Sequence, residues 1–252
     1  MVMKYGEKSH ALNEASIRNN RMKMRFLSYT KGHRPDVLDT NEFSLSENPL
    51  SPTQTNVEWT HVLGGSINDR YVLLMERNHY GTGPGTLEYY LQWMVENFYK
   101  MPTEEEGEGE PITIGMEMEP GQEFLERMDG LDRITQATVR IVRPNPGWHD
   151  LDSELGEKAL QSDAQKVELT MTPRRRGTLH KETGIIAWIR EKFYHRELGY
   201  AAIKGQNGSQ YDIFNTVKLG KHAVLQFETD DRGQIIPDDA FVKMARMMDT
   251  LD

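Results

Sequence analysis

The chain has no cysteine. That absence removes disulfides, thiolate nucleophiles, iron–sulfur clusters and cysteine-type zinc sites together. No apolar run reaches the ~18 residues a membrane helix needs. The first 34 residues, with 8 basic and 2 acidic groups, lack the apolar stretch of a secretion signal. The expectation is a cytoplasmic protein without direct membrane insertion. The eight histidines are scattered, with no His-x-x-x-His pair, so no metal motif emerges. Aromatics are scarce and mostly at helical spacing, which marks them as core. Tyr194, beside His195 and Arg196, is the one local candidate for stacking on a base. There is no internal repeat.

What the chain has is segregated charge. Overall it carries net −9, yet residues 1–100 balance 11 basic against 11 acidic groups. Residues 101–170 carry 6 basic and 17 acidic, and residues 171–225 carry 10 basic and 4 acidic. An acidic protein with one concentrated basic stretch can turn a single face to a polyanion and repel it elsewhere. The leading feature is Arg174-Arg175-Arg176, behind Pro173 and ahead of Gly177. Guanidinium groups stay charged and form paired hydrogen bonds to phosphate oxygens, which grips a backbone without reading bases. Lys181, Arg190, Lys192, Arg196, Lys204, Lys218 and Lys221 extend the candidate DNA-backbone contacts, provided they share a face. The plainer reading of the triplet is a solvated turn. Because generic attraction is absent at net −9, a homodimer that doubles the basic surface is expected. The net +6 segment at 1–34 would add either dimer or phosphate contacts.

Periodicity and turn chemistry outline an α+β protein with mainly antiparallel sheets and flanking helices. Residues 1–20 show no clean period and read as a loose basic arm. Residues 21–29 read as a strand, 31–55 as a long loop, and 57–63 with 70–77 as a strand pair around a turn at 64–69. A glycine-rich turn at 79–86 leads into a helix over 87–99. The acidic run TEEEGEGE at 103–110 divides the chain into a part at 1–102, a linker at 103–111 and a part at 112–252. The latter is expected to hold strands at 112–118, 134–143, 165–172, 201–205, 210–215 and 223–228. Helices are expected at 121–128, 151–162, 183–198 and 238–248.

Residues 124–147, FLERMDGLDRITQATVRIVRPNPG, resemble a segment of a phage and bacterial family in which a short helix leads into L.RIT…V.I.RPNP. The order around it is similar too: YVLLMERN, a glycine-rich turn and LEYYLQWM upstream, then KVELTMTP, a basic loop, a helix and AAIKG downstream. The family is similar to the Rex A exclusion protein of temperate phages. The resemblance covers about two thirds of the chain in order of elements. It implies a two-part, often dimeric α+β protein that contacts double-stranded DNA without base specificity, in phage exclusion, with a second defence-system protein as partner. It carries over no catalytic residues.

Other chemistry is less well supported by the residues. The stretch 81–86, GTGPGT, opens a helix as a phosphate loop would, but lacks the Gly-Lys-Ser/Thr ending and loses an amide at Pro84. A turn with Thr86 as helix cap explains it better. Asp150, Asp152 and Glu154 after His149, or Glu168 with Lys166, offer a metal-dependent nuclease as the rival reading. A protein-interaction module using the acidic segment is a third. Arg140 and Arg143 read as ion-paired strand residues. No catalytic residue, metal or cofactor is assigned.

Overall fold

The computed structural model describes residues 2–68, 70–98, 112, 114–142, 158, 161, 162, 164, 166–195 and 197–251. The linker at 103–111, nearly all of the helix expected over 151–162, Arg143, the carboxylates at 150, 152 and 154, and Arg196 lie outside these residues. The chain forms two compact units, Met1–Ile114 with Leu225–Asp252, and Gly115–Val224. Every strand pairing among the named strands is antiparallel, and helices flank the sheets, so the fold is α+β.

The first unit begins with β1 (Val2–Tyr5), β2 (Lys8–Arg18) and β3 (Arg21–Tyr29). The expected loose arm is therefore two strands. A bulge between Leu12 and Glu14 breaks the period-two alternation, which is why the segment shows no clean pattern in sequence. Asn19 and Asn20, both at positive φ, close the β2–β3 hairpin in the two-residue turn that asparagine tolerates. A short hairpin, β4 (Val37–Asp39) with β5 (Ser44–Ser46), punctuates the long loop. β6 (Glu58–Ile67) and β7 (Arg70–Met75) complete a five-stranded sheet in the order β1-β2-β3-β6-β7.

Gly64 and Gly65, expected in a turn, lie inside β6. A Cβ on Gly65 would sit 2.9 Å from the Met248 sulfur, so glycine lets a helix approach the sheet closely. Helix α1 (Pro84–Phe98) starts two residues before the expected Thr86 cap, with proline at its first position, where no amide partner is needed. Its Tyr90 is fully buried edge-on to Phe26, and its hydroxyl accepts from the Leu12 amide at 3.0 Å.

The second unit contains α2 (Gln122–Asp129), β8 (Arg133–Val142), β9 (Lys166–Met171), α3 (Gly184–Tyr194), β10 (Tyr200–Asn207) and β11 (Gln210–Asn215). Its sheet runs β11-β10-β8-β9. Gly208, at φ +58°, turns the β10–β11 hairpin as the sequence suggested. Pairing register puts Ala137, Val139, Ala201, Ile203 and Phe214 on one face. Phe124, Leu125 and Met128 of α2 and Ile185, Ile186 and Ile189 of α3 close over that face to form the core.

The final helix, α4 (Pro237–Met248), belongs to the first unit, not to the 112–252 part expected from the linear reading. Phe241, Met244 and Met248 pack on Leu63 and Ile67 of β6, with Leu225 and Phe227 alongside. Two expected strands are irregular. At 112–118, Gln92 of α1 bonds the Ile114 amide (2.7 Å), so that amide goes to a side chain rather than a ladder. Residues 223–228 lead instead into an isolated bridge between Thr229 and Ile235.

Candidate nucleic-acid interface

The arginine triplet occupies the turn after β9. The turn is pinned to the start of β8: Arg133 Nε donates to the Gly177 carbonyl (2.7 Å), the Ile134 amide to Thr178 Oγ1 (2.9 Å), and the Leu179 amide to the Ile134 carbonyl (3.0 Å). Gly177 closes it by donating to the Arg174 carbonyl at 2.7 Å, and a Cβ there would meet that oxygen at 2.9 Å. Arg176 is held at φ +64°, a left-handed conformation that costs a branched or long side chain roughly 1 kcal/mol. All three arginines are exposed, and among the described residues none of their guanidinium groups has a polar partner. Three free cations thus stand on a rigid turn.

The remaining described candidates, Lys204 apart, do not gather around that turn. Arg190 donates to Asp129 (2.7 Å) and to the Lys181 carbonyl (3.0 Å), and the Asp129 hydrogen bond raises its already high pKa. Lys181 donates to the Asp129 carbonyl at 2.7 Å. These two cations fasten α3 to the end of α2. Lys192 is 8 % exposed, bonded to Glu197 at 2.8 Å and set near the Trp188 ring, so it is structural. Lys218 and Lys221 follow β11, at the end of the sheet opposite the arginine turn, and Lys221 pairs with Glu119 at 3.3 Å. Lys204 alone joins the triplet's end of the sheet, exposed on β10. The shared face expected of the whole stretch is therefore reduced to Arg174, Arg175, Arg176 and Lys204. The reason is that Lys181, Arg190 and Lys192 point their cations at carboxylates and carbonyls of the same unit.

Helices α2 and α3 cover one face of this unit's sheet, and the other face is exposed at its β11 edge. It carries Tyr200, Ala202, Lys204 and Gln206 of β10, and Tyr211, Ile213 and Asn215 of β11. From β8 and β9 come Gln136, Thr138 and Arg140, with Lys166, Glu168 and Thr170 opposite. Tyr211 and Ile213 are each 62 % exposed. Arg140 lies 4.3 Å over the Tyr200 ring and pairs with Glu168 at 3.0 Å, as the strand ion-pair reading held. That pairing engages one oxygen, Oε2, of the Glu168 carboxylate that the nuclease reading set beside Lys166. Tyr211 and Ile213 were missed in sequence. The signal was there: QYDIFN puts apolar groups on both faces of one strand, and in a two-layer unit one of those faces must meet solvent.

Three amides at the start of the glycine-rich turn of the first unit are taken by internal acceptors. Tyr80 donates to Asn78 Oδ1 (3.0 Å), Gly81 to the Asn78 carbonyl (3.3 Å) and Thr82 to Thr60 Oγ1 (2.9 Å). Thr82 Oγ1 meets Nδ1 of buried His10 at 3.1 Å, and burial, with Lys8 nearby, pushes the His10 pKa down. A second buried histidine, His61, bonds Glu76 at 2.7 Å with its ring against Phe241. Both histidines clamp loops or helices to the sheet. Among the described residues no group of three or more histidine or carboxylate side chains is placed to hold a metal ion.

No protein-family model, no curated protein and no solved structure matches the chain.

Proposed function

We propose that the protein binds double-stranded DNA through its phosphate backbone, without reading bases, and that it acts in phage exclusion. The observation that carries the binding half is the arginine turn: three exposed guanidinium groups, free of internal partners, on a loop hydrogen-bonded to β8. A free cation loses no internal ion pair when it meets a phosphate, unlike Arg190 or Lys192. The neighbouring Lys204 extends the same basic end of the sheet. The resemblance to the Rex A-like family supports the biological setting. It also supports a homodimer and a second defence-system protein as partner. Among the described residues no helix is long and apolar enough to cross a membrane.

The test is salt dependence on random-sequence duplexes. Each neutralised phosphate releases counterions, giving a log–log slope of about −0.9 per contact. Changing Arg174, Arg175 and Arg176 together to Ala is expected to flatten the slope by about two to three units. An unchanged slope would remove the turn from the interface. A preferred operator selected from random duplexes would contradict backbone-only contact. Sedimentation of the wild-type protein reads the dimer directly, and a strict monomer that still binds tightly overturns that part.

A further inference from the structure

We infer that the open face of the β11-β10-β8-β9 sheet takes a short stretch of single-stranded nucleic acid, its bases lying on Tyr211 and Ile213. The inference rests on the reading above only in that the arginine turn supplies phosphate contacts at one end of this face. Three observations carry it. First, neither α2 nor α3 lies over this face, yet at its β11 edge it is not the polar surface that a solvated sheet face usually shows. Tyr211 and Ile213, neighbours on one side of an edge strand, are each 62 % exposed. Second, the apolar strip is bordered by cations. Lys204 is the register partner of Ile213, and Arg140 and Lys166 lie on the same face against one carboxylate, Glu168. In a chain of net −9 this local excess of positive charge favours an anionic partner over a neutral or basic one, and the exposed ring and aliphatic side chain between the cations suit the bases of a nucleic acid. Third, the strip has length. Tyr211 pairs with Gln206, and Tyr200, its ring already under the Arg140 guanidinium, begins the same strand six residues away, about 20 Å at ~3.3 Å per residue.

The choice of a single strand over a duplex follows from the chemistry of the strip. A duplex presents phosphates and sugars outward and keeps its base faces stacked inside, leaving an exposed Tyr ring and an Ile side chain nothing apolar to cover. Unpaired bases present π-faces, which stack on aromatic and aliphatic side chains whatever the sequence, while flanking cations hold the backbone. The turn bearing Arg174–Arg176 is anchored to Arg133 and Ile134, and Arg133 is the register partner of Gln206. The backbone of a strand leaving Tyr211 thus meets three free guanidinium groups at that end.

The experiment measures fluorescence anisotropy of labelled dT12, rU12 and a 30-base-pair duplex with the full-length protein. The expected result is that Tyr211→Ala weakens binding of at least one single strand about tenfold. Duplex affinity should stay within twofold, and Tyr211→Phe should restore single-strand binding. Tyr194→Ala, an exposed tyrosine on α3, which packs on the opposite face of the sheet, should change nothing. Arg174, Arg175 and Arg176 changed to Ala should weaken both classes. If the duplex binds and depends on the arginines, but Tyr211→Ala leaves single strands unaffected, this inference fails and the duplex reading stands. If neither class binds, both fail. If Tyr211→Ala or Ile213→Lys instead lowers the sedimenting mass, with single-strand affinity unchanged, the strip is a contact between copies and the inference is overturned.

Discussion

A cation's job is decided by what lies within 3 Å of it. Lys192 and Arg174 are both basic residues of one short stretch, yet Lys192 is nearly buried on Glu197, whereas Arg174 is exposed with no partner. The two should respond oppositely to mutation. Glu197→Ala, which removes one partner of a nearly buried ammonium, is expected to cost about 1–3 kcal/mol by urea unfolding, partial exposure of the pair trimming the full burial penalty. Arg174→Ala should stay within about 0.5 kcal/mol of wild type while reducing DNA affinity. A matching stability loss at Arg174 would show that the turn is structural.

His10 makes a second residue-scale prediction. Its folded-state pKa lies below the ordinary imidazole value of about 6.5, chiefly through burial and secondly through Lys8. The unfolded chain therefore takes up the proton first as pH falls. Stability should decline as pH drops from about 6.5 towards the lowered value, because in that window the unfolded state binds more protons. His10→Gln removes this titration. Its urea midpoint should vary less between pH 7 and 5 than that of the wild type, and parallel profiles would refute the assignment.

At the scale of elements, helices were legible where apolar spacing was strong, and strands where β-branched residues alternated. β8 and α3 are of this kind. The first two strands were not, because a bulge at Leu12/Glu14 shifts the alternation halfway along β2. Helix α4 was legible as a helix but not in its docking. Its Phe241 packs with Leu63 of β6 and edge-on to His61. Phe241→Ala should cost about 3–5 kcal/mol, the usual price of emptying a buried aromatic site. The loss should fall on the unfolding of the first unit, read by hydrogen exchange across β3 and β6. Protection loss confined to β8–β11 would contradict the docking.

For the whole molecule, the chain enters the first unit, leaves it for the second and returns for its last 28 residues. A protease site inserted between residues 103 and 110 and then cut should therefore not separate the halves. The larger fragment carries α4, which is packed on the sheet of the smaller. Gel filtration should show one native species that splits into two only in denaturant. Two species under native conditions would mean that the contacts of α4 with β6 are too weak to hold the first unit together.

The sequence by itself determined the α+β class, most of the elements, the absence of cysteine chemistry, and the existence of one basic turn. Those are local properties: periodicity, β-branching, turn residues and charge counts depend on neighbours along the chain. Only the tertiary structure decided which of the nine described candidate cations are available, because a lysine or arginine is bound or free according to carboxylates and carbonyls as far as 102 residues away, as with Lys221 and Glu119. It likewise decided that Gly64 and Gly65 lie inside β6, with Gly65 against a helix and Gly64 against the Tyr71 and Leu73 side chains of β7, rather than make a turn. And it decided that Tyr211 and Ile213 face solvent, since QYDIFN is apolar on both faces and only the position of α2 and α3 chooses which one is buried.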